Sequence, residues 1–429
     1  MSGAGRKIVF CTSGSEGDVN PFVAVGLALK ARGFDPAVAT RSEFAGTVEA
    51  AGLGFHAVRP NLEDMSAELG MDVPSLWRGV VDPTTGLRFL LKRTIMPFLK
   101  ASCEDVMAAT EEASLVVTHS FAFAGRLAAE KRGLPWVSAV LQPFNFMSAY
   151  DPPLLGLAPL VDALRPVIGR AGYRQIFKVM RRRSAPWAEP VEALRAELGL
   201  PPYTHHPLFD AQFSPFGTLA LYSPLFGKLQ PDFPPLTRIV GFTFHDGGGL
   251  APQLEHFLAE GPAPIVFTLG SAAVMDAGGF FGAALEAVRK LNARAVLLTG
   301  EERFTNLPPG VIAVAYAPHA ALFPRARAVV HQGGIGTTAQ ALKAGRPQLI
   351  VPYMADQPDN ADRVARLGVG RALPRNRYSG EALISALSTL ERRETYARRA
   401  RAIADIISSE DGANAAAKAI EALLIAREG

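Results

Sequence analysis

Short apolar runs that alternate with helical stretches constrain the fold of this 429-residue chain more than any other feature. Residues 8–11 (IVFC) form such a run. The loop Thr12-Ser13-Gly14-Ser15-Glu16-Gly17-Asp18 follows, then a helical stretch over 21–32 with Gly33 as its stop. Residues 35–40 (DPAVAT) read as the next strand and 44–51 as a helix ended by Gly52. The order repeats at 115–118, at 122–132 with Gly133 as the stop, and at 135–141. Strands this short and apolar have no wet face, so helices must cover both sides of a parallel sheet. Further on the pattern restarts. Ile265-Val266-Phe267 leads into Thr268-Leu269-Gly270-Ser271, echoing Ile8-Val9-Phe10 before Cys11-Thr12-Ser13-Gly14. A helix over 280–291 and strands near 295–298, 311–314, 328–330 and 348–351 complete the second set. The expected fold class is α/β: two doubly wound, Rossmann-like αβα halves whose strand C-terminal ends face a central cleft.

Pro234, Pro235, the Gly247-Gly248-Gly249 run, Pro252, Pro262 and Pro264 break the rhythm. They divide the chain into an N-terminal half over 1–235, a linker over 236–262 and a C-terminal half over 263–410. A tail helix within 411–429 is left over. Two stretches, 60–100 and 149–183, depart from the alternation and are rich in Pro, Leu, Phe and Trp, among them Trp77, Phe89, Leu90, Leu154 and Leu155. They can form a substrate pocket or a second layer of core helices.

Composition excludes several classes. Hydrophobic residues at 48% and charged residues at 20% rule out a largely disordered chain. A net charge of +4 without clustering gives no reason to expect nucleic acid. Cys11 and Cys103 are the only cysteines, so there is no disulfide framework and no Cys-x-x-Cys metal spacing, which suits a reducing cytoplasm. The uncharged stretch 306–324 holds Pro308, Pro309 and Pro318 and cannot span a membrane. Arg181-Arg182-Arg183, with Arg174 and Lys178 upstream, reads as a solvated helix face, with weak peripheral contact to an anionic membrane as the alternative.

The segment 328–370 carries the most chemistry. The strand Ala328-Val329-Val330 feeds His331-Gln332-Gly333-Gly334-Ile335-Gly336-Thr337-Thr338, which opens a helix. The strand Gln348-Leu349-Ile350-Val351 follows, then Asp356-Gln357-Pro358-Asp359-Asn360. Glycines let main-chain N–H groups approach an anion, and the helix N-terminus adds about half a positive charge. No Gly-Lys-Ser/Thr follows, so this diphosphate cradle is not a Walker A loop.

The segment closely resembles the donor-binding segment of family 1 glycosyltransferases, which have the GT-B fold. The resemblance implies that His331, Gly333, Gly334, Gly336 and Thr337 hold a nucleotide diphosphate, and that Asp356 and Gln357 bind the hydroxyls of the donor sugar. Gln340 stands where plant members place a ribose-binding Glu. In Tyr316-Ala317-Pro318-His319, Tyr316 would stack on the base and the main chain of Ala317 would read its edge. Ser271 resembles the second phosphate contact. There is no Asp-x-Asp motif, so the helix terminus and His331 would neutralise the diphosphate without a metal ion, and no cofactor is expected beyond the donor. The tail helix over 414–427 would cross back onto the N-terminal half, and donor binding would close the halves.

A second match lies in Gly14-Ser15-Glu16-Gly17-Asp18-Val19-Asn20-Pro21, which resembles the family's acceptor loop. Gly14, Ser15 and Gly17 shape it. Many members place a catalytic His at this position; this chain has Asp18 there, and in having Asp it resembles sterol glucosyltransferases, glycopeptide glycosyltransferases and rhamnolipid-type rhamnosyltransferases. Direct displacement needs one base beside the acceptor hydroxyl, and a carboxylate within hydrogen-bond reach can serve. Asp18 could also cap the adjacent helix. His119 falls where plant members have the Asp that orients their catalytic His, so Asp18 and His119 would form the same dyad with residue types exchanged. The implied reaction is inverting transfer of a hexose from dTDP-rhamnose or UDP-glucose to a lipophilic or aromatic acceptor: a flavonoid or other phenol, a sterol or a hydroxy-lipid. A nucleotide-sugar epimerase, or a non-catalytic nucleotide-sugar-binding protein, remains the alternative.

Overall fold

The computed structural model describes residues 5–426 except 83, 157–158, 246, 271–273, 275–276, 301–303 and 305. Two sheets organise it. The first contains β1 (Lys7–Cys11), β2 (Asp35–Thr40), β3 (Gly54–Ala57), β4 (Ala113–His119), β5 (Trp136–Val140), β6 (Thr218–Ala220) and β7 (Thr237–Ile239) in the order β3-β2-β1-β4-β5-β6-β7. The second contains β8 (Ile265–Thr268), β9 (Ala295–Leu298), β10 (Val311–Val314), β11 (Ala328–His331), β12 (Gln348–Ile350) and β13 (Gly370–Ala372) in the order β10-β9-β8-β11-β12-β13. Neighbouring strands run parallel in both. The central strands are buried along nearly their whole length, as their apolar runs require.

Both sheets repeat one winding. The chain moves outward from β1 to β3, returns to the far side of β1 with β4, and continues outward. It does the same from β8 to β10 and then β11. The order reverses between β1 and β4 and between β8 and β11. Such switch points leave a crevice beyond the strand C-termini where ligands bind. Register sharpens this. Cys11 lies beside Thr118, so the loop leaving β1 and His119 at the end of β4 emerge together.

Three boundaries differ from the sequence expectation. The first helix, α1 (Glu16–Lys30), starts at Glu16 rather than residue 21, with Pro21 inside it. The reason is local: Asp18 accepts from the Ser15 N–H and hydroxyl at 2.7 and 2.9 Å, which fixes the first turn ahead of the proline. The stretch 236–262 is not all linker. Thr237–Ile239 forms the edge strand β7 beside β6, and the helix Pro252–Ala259 buries Leu254 and Leu258 in the second half. Prolines flank both elements, which is where edge strands and first helical turns tolerate them.

In the second half, β11 leads into α2 (Ile335–Lys343) and β12 leads towards α3 (Gln357–Leu367). The tail helix α4 (Gly412–Ile425) packs Ala416, Ala417, Ile420 and Leu424 into the same core as Phe22 and Leu29 of α1, and Glu421 pairs with Arg32. A further apolar cluster is shared between the halves. Val140, Phe146, Tyr222 and Phe242 meet Leu342, Ile350, Val364 and Ile407 in it.

Candidate active site

A cavity of about 530 Å³ lies over both switch points and is lined by both halves. Asp18 stands at its N-terminal side. Its main-chain carbonyl accepts from the Thr12 hydroxyl at 2.8 Å, and its Oδ2 is held by Ser15. Gly14 has a φ of +139°, and a Cβ there would run into the Asp18 carboxylate. Only glycine lets that carboxylate fold against the loop. Oδ1 lies 3.9 Å from Nε2 of the buried His119. That is ion-pair range, beyond a direct hydrogen bond. Burial pushes the His119 imidazole below its usual range, while Asp18 and the Ser13 main chain pull the other way. The structure therefore brings the two expected residues together as a near pair.

Across the cavity, α2 begins at Gly334, and the N–H groups of Ile335, Gly336 and Thr337 have no acceptor within their own helix. Gly333 has a φ of +92°, and a Cβ there would lie 2.6 Å from Ile350 Cγ2 and 3.2 Å from the Gln357 carbonyl oxygen. A Cβ on Gly336 would lie 3.5 Å from the Cα of Gly17. The first turns of α1 and α2 thus abut across the cleft.

His331 is the main departure from expectation. Its ring is fully buried behind the loop, Nδ1 accepts from the Gly333 N–H at 3.0 Å, and Nε2 lies 2.9 Å from Gln348 Oε1. With Nδ1 accepting, Nε2 carries the proton and donates to Gln348. Burial pushes its pKa down to about 4, the bond to Gln348 opposing and His319 adding to the fall. The ring is neutral at pH 7 and both nitrogens are used inside the protein. The expectation that His331 touches and neutralises a diphosphate is corrected: here it shapes the loop.

Asp356 and Gln357 lie at the start of α3 and line the cavity. Asn360 donates from Nδ2 to Asp356 Oδ2 at 2.6 Å and to the Gly333 carbonyl at 2.9 Å, tying the two loops. The Asp356 carboxyl is pushed up to about 7, chiefly by burial and further by Asp18 and Asp359, while Asn360 opposes. Gln357 spends Oε1 on the N–H groups of Tyr353 and Met354 at 2.8 and 3.1 Å, leaving its NH₂ for a ligand. Gln340 and Thr337 also line the cavity. Tyr316 lines it with 64% of its surface exposed, whereas the Ala317 side chain is buried. Ser271 lies outside the described residues.

One stretch of the wall is apolar. Leu76, Trp77, Leu87, Leu91, Ile95 and Leu99 come from the stretch expected to form a pocket or a core layer, and they line the cavity. Sequence reasoning missed four contributors. Asn360 was legible as the i+4 neighbour of Asp356 on one helix face. Gln348, Arg41 and Arg363 carried no local signal. Arg363, buried on α3, donates from Nε to Asp359 at 2.7 Å and from Nη1 to Asp151 at 2.7 Å and the Phe226 carbonyl at 3.1 Å. Asp359 also accepts from the Leu154 N–H at 3.1 Å. This buried ion cluster seats α3 against the N-terminal half.

Two doubly wound halves with one polar site at their facing switch points define a GT-B glycosyltransferase, and the chain belongs to that family. Residues 8–145 match the glycosyltransferase family 28 N-terminal domain, and residues 283–423 match the erythromycin biosynthesis protein CIII-like C-terminal domain. The O-mycaminosyltylonolide 6-deoxyallosyltransferase of Streptomyces fradiae is 31% identical over 97% of this chain and 97% of its own. The vancomycin aglycone glucosyltransferase of Amycolatopsis orientalis is 29% identical over 97% of this chain and 98% of its own. Among solved structures, the spinosyn rhamnosyltransferase SpnG complexed with thymidine diphosphate has the same fold. Its TM-score is 0.67 at 18% identity, covering 97% of this chain and 100% of that one. Among the described residues no helix is long and apolar enough to cross a membrane.

Proposed function

We propose that the enzyme transfers a hexose, with inversion at the anomeric carbon, from a nucleotide-diphosphate sugar to a hydroxyl of a lipophilic or aromatic small molecule. One observation carries this reading. The first turns of α1 and α2 abut across the cleft, with the Asp18 carboxylate on one side and the glycine loop on the other. The N–H groups at the start of α2, without acceptors in their own helix, favour an anion placed against them. A diphosphate leaving group is that anion.

Asp18 takes the proton of the acceptor hydroxyl as its oxygen attacks the anomeric carbon. The bond from that carbon to the phosphate oxygen breaks, and the nucleoside diphosphate departs onto the N–H groups of Ile335, Gly336 and Thr337. A single base implies a single displacement, hence inversion. His119, buried 3.9 Å from Oδ1, stands beside the carboxylate that Ser15 orients. Tyr316 stacks on the base, the Ala317 main chain reads its edge, and Gln340 meets the ribose. Ser271 supplies a second phosphate contact, and Asp356 with the Gln357 NH₂ holds the sugar hydroxyls.

We place dTDP-rhamnose ahead of UDP-glucose. One relative is named for a 6-deoxyhexosyl group and the other for a glucosyl group, so both sugar classes are represented. The acceptors in their names, O-mycaminosyltylonolide and the vancomycin aglycone, are large molecules, and the apolar wall here suits a bulky acceptor. That wall also argues against an epimerase, which needs no acceptor.

The test is Asp18→Asn. Its transfer rate is expected to fall by ~10²–10⁴-fold with the melting temperature and dTDP binding kept. Near wild-type turnover in the folded variant removes the base assignment. A larger thermal shift with UDP than with dTDP reverses the donor order. Epimerised sugar formed from donor alone overturns the transferase reading.

A further inference from the structure

Arg59 and Arg41 both line the acceptor side of the cavity, and they differ. Arg59 is half exposed and tied to Asp105 by two side-chain bonds. Arg41, just beyond β2, is only 8% exposed. Its Nη2 donates to the Gly14 carbonyl at 2.7 Å, and its guanidinium lies 5.4 Å from the centre of the Phe44 ring. Its Nε is buried without a hydrogen-bond partner, and among the described residues it forms no ion pair. Glu43 and Asp18, which accept from the Leu62 N–H and from Ser15, oppose the cost of its burial through space. Arginine keeps its proton inside proteins, so the cation is present in every state of the site. A buried guanidinium with an unpartnered Nε–H is an unsatisfied group, and an apolar surrounding raises its cost.

We infer that Arg41 selects the acceptor by pairing with an anionic group, a carboxylate or phenolate, carried near the hydroxyl that is glycosylated. The inference rests on the transferase reading above and narrows its acceptor class. Gly14 is the link. Its carbonyl receives Arg41, and the place where its Cβ would stand holds the Asp18 carboxylate. An acceptor whose hydroxyl meets Asp18 therefore sets a neighbouring substituent beside the guanidinium. The planar donor fork matches a carboxylate, and water excluded by Leu76, Trp77 and Leu91 strengthens the pairing. A neutral substituent gains at most a hydrogen bond where an anion also gains charge pairing, so discrimination follows that difference.

The experiment uses matched pairs of phenolic acids and their methyl esters as acceptors, with kcat/KM measured for the wild type, Arg41→Gln and Arg41→Lys. The wild type is expected to prefer acids over esters by ~10–100-fold. Arg41→Gln is expected to collapse that ratio, lowering the acid value by more than the ester value. Arg41→Lys keeps the charge without the fork and retains part of the preference. If Arg41→Gln does not fold, the acid-specific loss in Arg41→Lys is the deciding measurement. An acid-to-ester ratio unchanged in a folded variant overturns the inference and leaves the transferase reading intact. Absence of transfer to any acceptor by a wild type that binds dTDP overturns the transferase reading itself.

Discussion

Between β1 and β4 the cleft receives ionisable side chains: Asp18, His119 and, from beyond β2, Arg41. Between β8 and β11 it receives main chain, a turn in which glycines expose N–H groups at the start of α2 while the neutral His331 sits behind. One strand order serves both halves, so the difference lies in what the loops carry. Taking a proton from an acceptor requires a group that titrates. Holding a leaving diphosphate requires dipoles that stay fixed whatever the pH. Asp356 is the exception on that side, a carboxyl pushed up to about 7, and its proposed partners are sugar hydroxyls rather than phosphates.

The largest test of this contrast lies where the halves are joined. Arg363→Ala leaves Asp359 buried without its cation, and denaturant unfolding is expected to show a loss of roughly 3–5 kcal/mol. The same change should weaken donor binding, because α3 carries Asp356 and Gln357. A loss below about 1 kcal/mol would mean that the cluster behaves like a surface ion pair.

Next come two glycines, one from each half. Gly333→Ala places a methyl group against Ile350 in a backbone conformation that side chains avoid, and should cost about 1–3 kcal/mol and weaken dTDP binding. Gly17→Ala meets only the Ser15 hydroxyl at 3.5 Å, so its melting temperature should stay near that of the wild type. Equal effects would break the claim that main-chain shape requires glycine at 333 and not at 17.

The smallest effect is a slope. His331 and His319 are both pushed down to about 4 by burial, against an ordinary value near 6.5. Between those values the unfolded chain binds more protons, so these groups make stability fall as the pH drops from about 6.5 towards 4. The raised carboxyl of Asp356 works in the opposite sense, removing stability as the pH rises from about 4 to 7. His331→Gln should flatten the acid-side loss in a thermal scan, and Asp356→Asn should steepen it. A His331→Gln profile parallel to the wild type would contradict the buried, neutral imidazole.

Strand placement, the repeat of the two halves and the chemical types at both loops were legible in the sequence, because apolar periodicity and glycine-rich turns are local signals. Pro21 misled the reading of α1 because the turn that starts the helix is set by a bond from Asp18 back to Ser15. Thr237–Ile239 looked like linker because prolines surround it, and only pairing with β6 makes it a strand. The orientation of His331 depends on Gln348, 17 residues away, and Arg363 depends on Asp151, 212 residues away. No window along the chain contains both partners.

The apolar cluster shared by Phe146, Tyr222 and Phe242 with Leu342, Ile350 and Val364 bears on the expected closure over the donor. Swinging the halves wide apart would wet those side chains and strip Arg363 of its partners, so the shared cluster resists wide opening. The cavity's other wall is built from short helical pieces between Leu62 and Phe98, outside that shared cluster.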